Sequence, residues 1–486
     1  MTADLTVETR AGQVLGAAVG GVRRWLGIPY AKAARFAAPE AVEPWDGVRP
    51  ALAMAPQCPQ HYGGSAKQAR VAAPDYAEDC LALNVWAPEN GDTGLRPVLV
   101  WIHGGAFVAG GSNMYDGAEL AGLGDMVVVG INYRVGILGF VNFGEALGLP
   151  SLPSNLGLRD QIAALEWVRA NIAAFGGDPG RVTIVGESAG SISVSLLMLC
   201  RTATPLFHGA IMQSGAVSLV HDREKSRRIA RRYTELLGLN QGDQETMKSL
   251  PLMRLFEAQA RIGAEERNGI PAAPWLDGDL LPATFAEAFA QPTPPIPLLA
   301  GSMREEIRLF ELMPGDILPT RRADLEALIR RRLPPDRAER ILAAYPMTTA
   351  GRRALATDLS FGMPTRNFAH RHAAHSPTWF YRFDYAYPVL GAAHGLDLTF
   401  LWPIPGLLGA FIKSSRRRVA LAGRVKRHWA YFTRHGRPET DWPAYTPQTP
   451  AVRLFNAEDK VVVDPDGERF EAWGGVDVGP GMTAAA

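Results

Sequence analysis

Cysteine is scarce, with only Cys58, Cys80 and Cys200 in 486 residues. That excludes a disulfide scaffold and a four-thiolate zinc site. An excess of one charge is missing too. Fifty basic residues stand against 49 acidic ones, for a net charge of +1, which argues against nucleic acid or an anionic membrane as the main partner. No apolar run reaches 18 residues, so no transmembrane helix is expected. The opening stretch MTADLTVETRAGQ has no apolar signal-peptide core, and the expected location is the cytoplasm. Internal repeats and low-complexity linkers are absent as well. An apolar fraction of 47% beside a near-zero net charge excludes a disordered chain.

What is present is alternation. Leu81 to Trp86, Val98 to Ile102, Met126 to Ile131 and Arg181 to Val185 are short apolar runs of strand type. Between them, Leu158, Ile162, Leu165 and Ile172 carry a helical period over Gly157 to Phe175, which Gly176, Gly177 and Pro179 close. Further on come a basic amphipathic helix (Arg223 to Leu237), strands at Leu298 to Gly301 and Trp379 to Phe383, and a long basic helix over 416–434. The Arg/Lys run of the first of these helices reads as a solvated face. The pattern predicts one α/β domain over 1–486 with a large, mostly parallel sheet flanked by helices. A helical, Arg- and Ala-rich insertion over 310–375 is expected to lie over the sheet as a cap.

Chemistry concentrates in a few segments. Gly186-Glu187-Ser188-Ala189-Gly190 follows the strand run VTIV and precedes a helix-compatible stretch. A serine on a sharp strand-to-helix turn needs small neighbours, because its backbone is strained and its Oγ must stand clear. The competing role for Ser188 is an ordinary helix N-cap. A nucleophilic serine needs a base, and the base needs an orienting acid, here in the chain order Ser, acid, His. Among ten histidines, His394 stands out in the small-residue loop Gly391-Ala392-Ala393-His394-Gly395. His370, His372 and His375 do not share one helix face and are expected in solvated or capping roles rather than on a metal. His428 and His435 belong to the last long helix, where a histidine near the C-terminal end complements the dipole. Trp101-Ile102-His103-Gly104-Gly105-Ala106-Phe107 is a glycine-rich turn after a buried strand, able to aim N–H groups at a developing oxyanion. It is not a P-loop, since Gly111 and Ser112 stand where Lys and Ser/Thr are required.

Together these segments resemble the type-B carboxylesterases of the α/β-hydrolase fold, most closely the bacterial para-nitrobenzyl-esterase type. The stretch Phe175 to Gly190 matches the family's nucleophile signature. Glu78 to Val85 matches its second signature, with Ala82 in place of the usual Tyr or Thr. Gly27 to Ala31, Asn132 to Arg134, Asn155 to Asp178, Gln213 to Gly215, Asp277 to Asp279 and Trp429 to Pro438 also match, so the likeness spans 5–445. It implies Ser188 as nucleophile, His394 as general base, and Gly105, Ala106 and Ala189 as N–H donors of an oxyanion hole. The acid falls in Gly301-Ser302-Met303-Arg304-Glu305-Glu306-Ile307. Register favours Glu306 over Glu305, although Glu replaces Asp before it and Ile replaces Gly after it. Asp397 matches an acidic position outside the triad. The likeness further implies structural ion pairs Arg35–Glu78 and Arg134–Asp160.

The expected reaction is ester hydrolysis through an acyl-enzyme, without metal or organic cofactor. The expected partner is a small ester, with short alkyl or aryl esters favoured and a monomer or homodimer as the assembly. An amidase or carbamate hydrolase would use the same machinery. A non-catalytic, adhesion-type relative is disfavoured by the presence of both Ser188 and His394. Phe107, Leu309 and Phe310 are candidate pocket liners. The segment between Cys58 and Cys80 lacks Trp, and the cholinesterases resembling this chain place a cation-binding indole there, so quaternary-ammonium selectivity is not expected. Cys58 and Cys80 pair in an oxidising compartment, as the resemblance suggests for secreted relatives, or stay reduced in a reducing one. Cys200 reads as a small buried hydrophobe.

Overall fold

The computed structural model describes residues 5–61, 70, 75–89, 94–266, 269–313, 317–404 and 406–476, with backbone alone for 406–408. The first four residues of the opening stretch, most of the segment between Cys58 and Cys80, residues 314–316 of the cap-like insertion and the last ten residues of the domain lie outside them.

Fourteen strands occur among the described residues: β1 (Thr6–Thr9), β2 (Gly12–Leu15), β3 (Ala17–Val19), β4 (Val22–Pro29), β5 (Val48–Pro50), β6 (Ala82–Pro88), β7 (Arg96–Ile102), β8 (Val127–Ile131), β9 (Gly177–Glu187), β10 (Gly209–Gln213), β11 (Leu298–Met303), β12 (Thr378–Phe383), β13 (Ala451–Phe455) and β14 (Lys460–Val463). β1, β2 and β5 form a small sheet, and the other eleven form one large sheet in the order β14-β13-β12-β11-β10-β9-β7-β8-β6-β4-β3. From β8 through β13 every pairing is parallel, while both margins of the sheet are antiparallel.

The parallel strands are apolar on both faces because both faces are covered. Along β7, Val98, Val100 and Ile102 point into one core cluster and Leu99 and Trp101 into the other. The period-two alternation therefore separates two layers rather than core from solvent. Each parallel crossover carries helix: Leu156–Asn171 leads into β9, Ala189–Leu199 leaves it, and Met363–Ala373 packs on β11 and β12. The expected strands and helices appear with shifted ends. β9 extends well to both sides of Arg181–Val185, and the helix before it ends at Asn171, with Ile172–Phe175 tightening to 3-10 form. Within the 310–375 segment, the last helix belongs to the layer lying directly on the sheet.

The topology brings the C-terminal ends of β7, β9, β11 and β12 to one edge. That is where an open parallel sheet offers its crevice, and the loops carrying His103 to Phe107, Ser188, Glu306 and His394 leave from these ends. Among the described residues no helix is long and apolar enough to cross a membrane.

Candidate active site

Ser188 sits between β9 and the helix Ala189–Leu199 with φ 57° and ψ −121°, and its side chain makes no capping bond. The N-cap alternative is thereby set aside. A non-glycine residue in this region is strained, and the strain is held by the Ser188 N–H donating to the Gln213 carbonyl on β10 (2.9 Å). The small neighbours follow from packing. A Cβ on Gly186 would lie 2.3 Å from the Gly190 carbonyl carbon, and one on Gly190 would lie 2.0 Å from the Ile102 oxygen. The turn therefore tucks against the end of β7 and leaves Oγ clear.

His394 Nε2 lies 2.8 Å from Ser188 Oγ, and its Nδ1 lies 2.6 Å from Glu306 Oε2. Three side chains spread over 206 positions of the chain thus meet in one hydrogen-bonded line. Ser188 and His394 keep 9% and 6% exposure and Glu306 none, so the acid is dry while the nucleophile retains access. Glu306 Oε1 accepts from the Met303 N–H (2.7 Å), which fixes the carboxylate against its own strand end. Glu305 does something else. Its N–H donates to the Ala392 carbonyl (3.0 Å), its carboxylate accepts the Ala392 N–H (3.1 Å), and Arg308 pairs with it at 3.2 Å. Glu305 thus fastens the histidine loop, and Glu306 faces the ring.

Two further buried acids surround the imidazole. Glu187 Oε1 is 3.3 Å from His394 Nε2 and has no hydrogen-bond partner among the described residues. Burial pushes the Glu187 carboxyl up to about 8, with His394 pulling the other way. Asp397 accepts from Gln213 Nε2 at 2.9 Å, and Trp429 Nε1 donates to the same glutamine's oxygen at 3.0 Å. Burial pushes Asp397 up to about 6 against that Gln213 bond. Burial also acts to lower the His394 pKa, but the carboxyl groups of Glu187 and Glu306 outweigh it and raise the pKa above the ordinary imidazole value.

The glycine-rich turn after β7 passes beside the serine. A Cβ added to Gly104 would stand 2.7 Å from the Glu187 carbonyl and 3.1 Å from the Ser188 Cβ. Gly105, Ala106 and Phe107 follow with φ of 117°, 54° and 60°. The turn is closed by Val108 and Ala109 donating to the Gly105 carbonyl (both 3.0 Å). Ala189 opens its helix, so its N–H is one of the first-turn donors that have no intrahelical acceptor.

Of the expected pocket liners, Phe310 lies 5.3 Å from the His394 ring. Phe107 is fully buried, packs edge-on against Phe140 at 5.1 Å and belongs to the core cluster. Leu309 packs with the cluster around Trp101 and Trp402. The ring nearest the imidazole is one the sequence did not reveal: Phe361 stacks on His394 at 4.4 Å and 29°. The role of Glu187 beside the imidazole was not foreseen either, although it lies inside the serine pentapeptide.

Other expectations need correction. Cys58 and Cys80 are both free and buried, so the possible bridge is absent; the Cys80 thiol is pushed well up, first by its hydrogen bond with Cys58 and then by burial. Cys200 is buried as expected. His372 is neither solvated nor a cap. It is fully buried, with Nδ1 on Thr293 Oγ1 (2.6 Å) and Nε2 on the Ile296 carbonyl (2.8 Å), tying down the proline-rich entry to β11. His428, in the last long helix, is buried beside Glu439 and Asp441, the one trio among the described residues with ligand-type atoms within 4.8 Å. Asp441 there is already held by Arg453 at 2.9 Å, so a metal ion would compete with a resident cation. The two ion pairs form: Arg35 Nε to Glu78 at 2.7 Å, and Arg134 to Asp160 through two bonds of 2.8 and 2.7 Å in the interior.

The Carboxylesterase family model matches residues 3–473. The chain belongs to the carboxylesterase family. Para-nitrobenzyl esterase of Bacillus subtilis is 36% identical, over 95% of this chain and 97% of that protein. The acylcarnitine hydrolase of Mus musculus is 34% identical over 90% and 85%. Among solved structures, a PNB esterase superposes with a TM-score of 0.86 at 35% identity, covering 96% of this chain and 99% of the other. A carboxylesterase of Geobacillus stearothermophilus does so at 0.83 and 36%, covering 96% and 100%. The large sheet is that of the α/β-hydrolase fold, and the protein is a serine carboxylesterase, a hydrolase of carboxylic esters. The family match runs beyond residue 445, to include the closing strands β13 and β14.

Proposed function

We propose that Ser188, His394 and Glu306 are the catalytic triad of this carboxylesterase, with Gly105, Ala106 and Ala189 as oxyanion donors. The observation that carries the proposal is the continuous line from Ser188 Oγ through His394 to Glu306, at 2.8 and 2.6 Å, within the range for general-base catalysis. His394 takes the serine proton as Oγ attacks the ester carbonyl. The backbone N–H groups receive the oxyanion, and the imidazolium protonates the departing alcohol. Water then repeats the sequence and frees the acid. Glu306 holds the ring in the tautomer with hydrogen on Nδ1. Gly105 and Ala106 supply two donors from the turn after β7, and Ala189 a third from the helix start.

The substrates we propose are short alkyl or aryl esters, a choice supported by the aromatic surroundings of His394, where the Phe310 and Phe361 rings pack. Their neutral chemistry suits the near-zero net charge. Three free, buried thiols fit a reducing, cytoplasmic setting.

A panel of para-nitrophenyl esters, carbamates and anilides tests the substrate class; ester turnover well above the other two is the expected result. Comparable anilide turnover would favour an amidase. Inhibition by an organophosphate with the adduct mapped to Ser188 is expected, and an active, folded enzyme carrying no adduct there would overturn the nucleophile.

A further inference from the structure

The helix that precedes β12 is not uniform. Thr349–Thr357 is α-helical, Asp358–Gly362 forms a π-turn, and Met363–Ala373 resumes the α-helix. The Met363 N–H reaches the Asp358 carbonyl five residues back. Single π-turns inside α-helices concentrate at functional sites, and this one carries Phe361, whose ring lies 4.4 Å from the His394 ring and 5.8 Å from that of Phe310.

Four ties hold the turn. The Ile307 N–H, one residue beyond Glu306, donates to Thr357 Oγ1 at 3.3 Å. Ser218 Oγ donates to the Ser360 carbonyl at 2.9 Å, which Pro364, lacking an N–H, cannot satisfy from four residues on. The Asp358 carboxylate accepts from Tyr345 OH (2.6 Å) and from Arg469 Nη1 (2.7 Å). It also fills the space beside Gly362, where an added Cβ would lie 2.7 Å from Asp358 Oδ1. Trp473 Nε1 in turn donates to Tyr345 OH at 2.8 Å. Arg469 and Trp473 lie on the helix Gly467–Trp473, near the end of the described chain. Arg469 also pairs with Asp466, which Arg382 on β12 holds from the sheet at 2.7 Å. Asp358, Tyr345, Trp473 and Phe361 are all buried.

We propose that the helix Gly467–Trp473, acting through Arg469, Trp473 and Tyr345 on Asp358, sets the π-turn whose Phe361 ring holds the His394 imidazole in register, which makes Asp358 and Phe361 positioning residues for ester hydrolysis. This rests on His394 being the general base. An imidazole fixed by hydrogen bonds at both nitrogens can still tilt about the line joining them, and the Phe361 ring restricts that tilt. A displacement of about 1 Å at a reacting group costs on the order of 10²-fold in rate, so a remote buried carboxylate that places the ring acts on kcat without touching the ester.

The test compares the full-length enzyme with Phe361→Leu, Asp358→Asn, Tyr345→Phe and the double variant Asp358→Asn/Phe361→Leu on para-nitrophenyl acetate. Expected are a loss in kcat of about tenfold or more for the first two, a smaller loss for Tyr345→Phe, and KM values within about twofold of the parent. The double variant should be no slower than Phe361→Leu alone, because the remote change acts only through the ring. A folded Asp358→Asn enzyme with unchanged kcat, or a double variant whose losses multiply, would overturn the proposal. If Asp358→Asn does not fold, Tyr345→Phe combined with Phe361→Leu carries the same comparison. Turnover surviving in Ser188→Ala or His394→Ala would instead strike the triad reading, a different result from any of these.

Discussion

Glu305 and Glu306 are adjacent and chemically identical, yet the fold gives them opposite surroundings. Glu306 is dry and faces the imidazole; Glu305 is partly exposed and holds Ala392 and Arg308. Glu306→Gln should therefore lower kcat on the order of 10³–10⁴-fold by losing the anion that orients the ring. Glu305→Gln should cost about tenfold at most, through a loosened loop. Steady-state kinetics of the two variants separates the roles, and equal losses would contradict them. Glu187 gives a pH signature. It and His394 are close enough to titrate as a pair, and Glu187 is the first of the groups that raise the His394 pKa. The base works deprotonated, so activity falls as pH drops through its pKa. Glu187→Gln removes a raising influence, lowers that pKa and should carry the acid limb of kcat/KM to lower pH. A limb that stays or moves upward would remove Glu187 from the account.

At the scale of elements, the strand–serine–helix unit was legible because its requirements are local: an apolar run, two small residues around Ser188, and a helix-compatible stretch. The same locality made the glycine-rich turn after β7 and the histidine loop visible. Phe361 was not legible, since nothing near it in the chain marks a ring that must reach residue 394, and a π-turn carries no compositional signal comparable to a glycine turn. Whether Cys58 and Cys80 pair stays open in the sequence for a related reason: spacing gives proximity but not redox state. β13 and β14 are hard to read from the sequence because their runs, Ala451–Phe455 and Lys460–Val463, are short and each carries a basic residue, as befits strands at the margin of a sheet. The serine unit makes its own prediction. A methyl group at residue 190 would meet the Ile102 carbonyl at 2.0 Å, so Gly190→Ala should destabilise by about 1–3 kcal/mol or more and lower activity with it. A thermal melt indistinguishable from the parent would show that the turn has room the structure denies it.

At the scale of the molecule, a sheet of eleven strands with covered faces supplies the rigidity that lets residues 188, 306 and 394 meet. Interior charge contributes to that frame. Arg134 is hydrogen-bonded to Asp160, which is fully buried. Arg134→Met would leave an unpaired carboxylate in the interior, and the expected loss is about 3–5 kcal/mol, read as a lower urea midpoint. A loss below about 1 kcal/mol would mean that water reaches Asp160.

The claim on which the account turns is that Ser188 and His394 act as one unit. Its most direct measurement is kcat for Ser188→Ala, His394→Ala and the double variant on a single activated ester. Residues that share one proton transfer give non-additive losses, so the three should fall to the same residual rate, held up only by binding and the oxyanion donors. A double variant slower than either single by the product of their separate losses would mean that the two side chains act independently, and the line of hydrogen bonds joining them would not be the catalytic path.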